Sequence, residues 1–217
     1  MSRTAVQSAK DNGTSMRRIA ALYTGISHQH RSWNVPKYRQ YISEILYIPD
    51  MTAHSLDGFD VVLVPSRMHA GLMRTVKPWL YAFAARGGIV VVFWPQPGEV
   101  VPGQRHEHRP TNFWWWLDKD ATSGLALDKP DHPMFDYLTL EDCTWHQHGI
   151  FHPDPATSET LISIENDGPI FYIDKPASGG VWIVMSLDPE YHYGSYFMPA
   201  TERFLDGFFP YIAQGEI

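Results

Sequence analysis

The sequence predicts an α/β protein built on an open, doubly wound, mostly parallel sheet with helices on both faces. Three observations carry this expectation: the unbroken apolar runs Val61–Val64 and Ile89–Trp94, the amphipathic stretch between them, and short glycine-containing turns at the junctions. A strand covered on both faces reads as a continuous apolar run, and parallel neighbours need a helical crossover. The 217 residues, 44% hydrophobic and 19% charged, have the composition of a folded globule rather than of a solvated chain.

Each element follows from local chemistry. The first 16 residues are polar and small and are expected to form a flexible arm ahead of one domain, 17–217. "RIAALYTG" (Arg18 to Gly25) reads as a buried strand running into a glycine turn. In "VPKYRQYISEIL", Val35, Tyr38, Tyr41, Ile42, Ile45 and Leu46 recur at helical spacing, so a helix is expected over 35–46. Asp57-Gly58 supplies a turn before the strand Val61–Val64. Leu72, Val76, Trp79, Leu80 and Phe83 form one stripe of a helix over about 71–86, capped by Gly87-Gly88, and the strand Ile89–Trp94 comes next. From Pro95 to Pro155 the alternation stops, and an irregular insertion is expected. "TLISIEN" and "PIFYIDK" flank Asn166-Asp167-Gly168, whose dipeptide chemistry predicts an antiparallel hairpin at the sheet edge. Gly179 to Pro189 reads as a last buried strand, and Pro199 to Ile212 as an amphipathic helix.

Composition narrows the functions. A net charge of −7 gives no electrostatic reason to approach nucleic acid or an anionic membrane surface. No window reaches the roughly 20 apolar residues of a membrane span, and no signal-peptide core is present. Cys143 is the single cysteine, so neither an intramolecular disulfide nor a thiolate zinc cluster can form within one chain, and a reducing cytoplasm is expected.

The order of pieces resembles the class I glutamine amidotransferase-like superfamily, and within it the ThuA-like and β-galactosidase-trimerisation-like branches. The likeness is carried by "FDVVLVPS" ahead of a helix, by "ARGGIVVVF", and by "GGVWIVMSLDPEYHYG" ahead of "RFLDGFFPYI". It implies a flavodoxin-like fold and, through the trimerisation-like branch, a homo-oligomeric or partner interface. In the active amidotransferases the strand after the Gly-Gly turn enters a Gly-x-Cys-x-Gly elbow. Here that strand exits into "FWPQPGE", with no cysteine, serine or elbow glycines. The family's late His-Pro-Glu reads Asp188-Pro189-Glu190, so Glu190 matches and Asp188 stands where the base belongs. Cys143 lies far from the elbow. With nucleophile and base both missing, glutaminase activity is not expected.

Ligands of such a sheet sit beyond the carboxyl ends of its strands. Past those ends lie His28, His30 and Trp33; then Arg67 and His69; then Trp94; then Asp188, Glu190, His192 and Tyr193. A pocket there, taking a small polar ligand such as a carbohydrate, is the first reading, with no cofactor. Asp188, Glu190 and His192 are the candidate acid–base residues. The spacing His-x-His recurs at 28–30, 106–108 and 146–148 among eleven histidines. In an extended segment both rings of such a pair face one way, so His146 and His148 with His192 are the candidate ligands of a divalent zinc, manganese or iron ion. That second reading is a hydrolase or isomerase acting on a carbohydrate-like substrate. Trp114 to Trp116 suggest a third: a sugar-stacking platform, or a subunit interface of a structural, oligomerising protein.

Overall fold

A computed structural model describes residues 16–110, 117–196 and 198–217. The tryptophan run 114–116 and nearly all of the expected N-terminal arm lie outside the described residues.

The strands β1 (Ile19–Tyr23), β2 (Ile42–Tyr47), β3 (Val61–Val64) and β4 (Ile89–Phe93) form the first half of the main sheet. The short β5 (Arg105–Glu107), β6 (Leu125–Leu127) and β7 (Ile150–His152) fall in the irregular stretch, followed by β8 (Ser158–Ile164), β9 (Gly168–Asp174) and β10 (Val181–Met185). Eight strands share one sheet in the order β2-β1-β3-β4-β10-β9-β8-β6. β2, β1, β3, β4 and β10 run parallel, whereas β9, β8 and β6 join antiparallel. β5 and β7 pair separately as a two-stranded antiparallel ribbon.

The helices are α1 (Ser27–Asn34), the short α2 (Pro36–Arg39), α3 (Ala70–Ala85), α4 (Pro189–Gly194) and α5 (Pro199–Gln214). Alternation along β1 splits the core in two. Ile19 and Ala21 face a layer that contains Trp33, Tyr38, Phe204, Phe208 and Phe209. Ala20 and Leu22 face Met73, Val76, Leu80 and Phe83 of α3. Both faces of the sheet are therefore covered, as continuous apolar strands require.

Two expectations change. No helix spans 35–46: the crossover is α1 followed by α2, and Ile42–Tyr47 is the edge strand β2, in parallel register with β1. The apolar spacing of this segment fits a helix, but the free backbone edge of β1 offers it ladder hydrogen bonds, and tertiary pairing overrides local periodicity. The crossover helix leaves no apolar stripe in the sequence, because its buried residues are His28, Gln29, Ser32 and Trp33. The hairpin β8-β9 is antiparallel around Asn166, which adopts a left-handed φ of 61°. It is not the sheet edge, because β6 pairs with β8 outside it.

Candidate functional site

The strand ends converge on one carboxylate. β10 runs out at Met185, and three residues later Asp188 occupies the N-cap position of α4, fully buried. Its side chain makes no capping bond. It turns instead toward the carboxyl ends of β3 and β4. There Arg67, held at a left-handed φ of 57° just past β3, donates from Nη2 to Asp188 Oδ2 at 2.7 Å. That backbone conformation is costly for a side chain with a Cβ, and here it aims the guanidinium across to β10. Arg67 also lies over the Tyr191 ring, 4.0 Å from its centroid.

Three histidines complete the shell. His148 Nε2 is 2.9 Å from Asp188 Oδ2, His192 Nε2 is 3.3 Å from Oδ1, and His146 Nε2 is 3.9 Å from Oδ1. Trp145 Nε1 donates to the same Oδ1 at 3.3 Å. His146 and His192 meet Nε2 to Nε2 at 2.9 Å. The loop carrying Trp145 to His148 is fixed by the His148 N–H, which donates to Ser186 O and Oγ, and by His106 Nε2, which donates to the His148 carbonyl at 2.8 Å. β5 thus clamps the irregular loop against the end of β10.

The electrostatics follow from burial and partners. Burial alone would raise the Asp188 carboxyl, but hydrogen bonds from His148 and His192 outweigh it and hold the group well below the usual carboxylate range. Asp188 is therefore an anion that only accepts, which fixes the Nε2 hydrogen of His148. Glu190, also fully buried, accepts from the Ser66 N–H at 2.7 Å. Burial pushes its carboxyl up to about 7, a rise that contact with Ser66 opposes and the charge of Asp188 reinforces. His28 is pulled down to about 4 by burial and then by the charge of Arg67. His146 is lowered to about 4 by burial, against the opposing pull of Asp188.

A cleft of about 440 Å³ opens beside this cluster, lined by Trp94, Gln96, Glu99, His106, His108 and His148. His148, with 15% of its side chain exposed, is the one residue shared by the cleft wall and the Asp188 shell among the described residues. Gln96 Nε2 is spent on the Pro65 and Phe93 carbonyls, whereas its buried Oε1 has no partner among the described residues.

Of the residues read from the sequence, the fold gathers Asp188, Glu190, His192, His146, His148, Arg67 and His28 around one point. The others lie elsewhere. Trp33 is a core residue whose Nε1 donates to the Leu22 carbonyl. His30 is exposed beside Tyr23, and His69 caps α3 by accepting from the Gly71 N–H. Tyr193 packs on Tyr38 and Arg31 over a separate shallow groove. Trp94 is almost wholly buried and tilts against His106 at 4.7 Å, so it backs the cleft rather than presenting a free face. Trp145 directly precedes the His-x-His pair and shares its target, a role that no spacing in the sequence marks. Cys143 is completely buried in the core, and burial pushes its thiol up, which removes it as a nucleophile.

No family model matches the sequence, and no curated protein matches it. Solved structures do share the fold. A cytoplasmic protein from Salmonella typhimurium LT2 superposes with a TM-score of 0.55 at 12% identity, over 91% of this chain and 100% of that one. The mmIFT52 N-terminal domain gives 0.52 at 11% identity, covering 92% and 99%. A ThuA-like protein from Bacteroides uniformis gives 0.51 at 14% identity, covering 93% and 94%. The chain therefore has the α/β fold of these domains. Among the described residues, no helix is long and apolar enough to cross a membrane.

Proposed function

We propose that this protein is a binding module of the class I amidotransferase-like fold, working without amidotransferase chemistry, and that its cleft recognises a small polar, carbohydrate-like ligand. The observation that carries this reading is the double role of His148, which lines the cleft while its Nε2 is locked on the buried Asp188 anion. A pocket at the strand ends with a few oriented polar groups is the usual form of a small-molecule site. Around His148 stand His106, His108, Gln96 and Glu99, a mixed set of donors and acceptors of the kind that hydroxyl-rich ligands satisfy. The lone, buried thiol fits a reducing cytoplasm.

The test is a calorimetric titration of sugars, polyols and sugar acids, with a thermal-shift screen beside it. A true ligand raises the melting temperature, and His148→Ala or His108→Ala weakens binding about ten- to a hundredfold, the worth of one hydrogen bond to an oriented polar group. A panel in which no compound shifts the melt, or in which the variants bind as the wild type does, rejects the reading.

A further inference from the structure

We propose that His146 and His148, each through one ring nitrogen, and the Asp188 carboxylate together hold one divalent transition-metal ion of the zinc type beside the cleft. The inference stands on these three side chains; an ion there would displace the Nε2 hydrogen of His148 and take over its contact with Asp188.

The separations among the donor atoms are the first argument. In a tetrahedral zinc site with bonds of roughly 2.0–2.1 Å, neighbouring ligand atoms lie about 3.3 Å apart. Here His148 Nε2 lies 2.9 Å from Asp188 Oδ2 and His146 Nε2 lies 3.9 Å from Oδ1, while His192 Nε2, 2.9 Å from His146 Nε2 and 3.3 Å from Oδ1, stands beside the set. His146, His148 and Asp188 offer ligand atoms that all fall within 4.8 Å of one another. Three donors thus converge within reach of one ion, as the three protein ligands of an open zinc site do.

The chemistry of the donors is the second argument. Imidazole nitrogens with one carboxylate, and no thiolate, form a donor set that suits zinc, iron, nickel and copper. Outer-shell support is present too: a ligating carboxylate is normally held by further hydrogen bonds, and Asp188 receives Arg67 Nη2 at 2.7 Å and Trp145 Nε1 at 3.3 Å. His146, His192 and Asp188 are buried, whereas His148 faces the cleft, so an ion would enter from that side and present itself there.

The experiment uses the full chain, untagged, stripped with chelator and dialysed. Zinc is titrated calorimetrically, bound metal is counted by mass spectrometry, and cobalt(II) is added as a spectroscopic probe. The expected result is one equivalent of zinc per chain and a melting temperature about 5–10 °C higher at a hundredfold excess over Kd. Asp188→Asn weakens uptake by at least about tenfold, His146→Ala with His148→Ala abolishes it, and the exposed His54→Ala retains it. Uptake that disappears with His54 instead, or that is equal in all variants, overturns the proposal. If the core variants fail to fold, the wild-type cobalt spectrum decides: the intense visible bands of a four- or five-coordinate ion support the site, and the weak spectrum of an octahedral aquo ion refutes it. A sugar that binds the chelator-stripped protein leaves the proposed function standing even where the metal fails.

Discussion

Gly194 is where a single methyl group does the most damage near the site. It ends α4, where that helix crosses α1, and a Cβ built on it collides with the His28 carbonyl oxygen, lying 2.6 Å from the carbonyl carbon and 2.7 Å from Cα. All three obstacles are backbone or Cα atoms, so no rotamer change relieves them. Ordinary contact begins near 3.4 Å, so α1 and α4 must part by more than an ångström to clear the carbonyl oxygen. Overpacking of this kind costs about 1–3 kcal/mol, and the rigidity of a backbone-to-backbone contact puts Gly194→Ala at about 3. For a domain of this size that is a fall in melting temperature of roughly 6–12 °C. Gly87→Ala is the comparison: its φ of 93° strains any side chain, yet an added Cβ meets nothing within 4 Å, so only the left-handed backbone cost of about 1–2 kcal/mol applies. Both variants are read by differential scanning calorimetry. Because His28 rides on α1 and His192 on α4, Gly194→Ala should also weaken ligand or metal binding, which Gly87→Ala leaves unchanged. A Gly194→Ala protein that melts with the wild type, or above Gly87→Ala, refutes the reasoning.

Two further outcomes are expected. Cys143 should resist a disulfide-exchange reagent at pH 8 in the native protein and react with one equivalent after guanidinium unfolding, since burial withholds the thiolate; rapid native labelling would show that the core opens there. Stability should fall as pH drops from about 6.5 toward 4. Burial holds His28 at about 4, so within that window the unfolded chain takes up a proton that the folded chain refuses, with a slope of at most about 1.4 kcal/mol per pH unit for this group. Denaturant titrations of His28→Asn should show a shallower acid slope, and an unchanged slope sinks the assignment.

Local chemistry alone determined the interior of the sheet and its turns. Val61–Val64 and Ile89–Phe93 are apolar throughout because both faces are covered, and such burial leaves its mark on composition whatever surrounds it. The stripe of α3 and the Asn166-Asp167-Gly168 turn are likewise written in residue type and spacing. The placement of Asp188 and Glu190 at the carboxyl edge of the sheet follows from the topology of those strands.

The rest was decided by partners distant in the chain. Ile42–Tyr47 is a strand because β1 lies beside it, and α1 is a helix whose buried face sets His28, Gln29 and Ser32 beside Trp33, because it packs on α4 and the site as well as on the apolar layer. The three His-x-His pairs share one spacing, and those at 28–30 and 146–148 are the same string. Only 146–148 reaches Asp188, 40 residues beyond His148, because the ribbon of β5 and β7 and the end of β10 pin that loop in place. A loop without regular structure has no period from which a side-chain direction can be read. Where its rings point is set by long-range hydrogen bonds that exist only once the chain has folded.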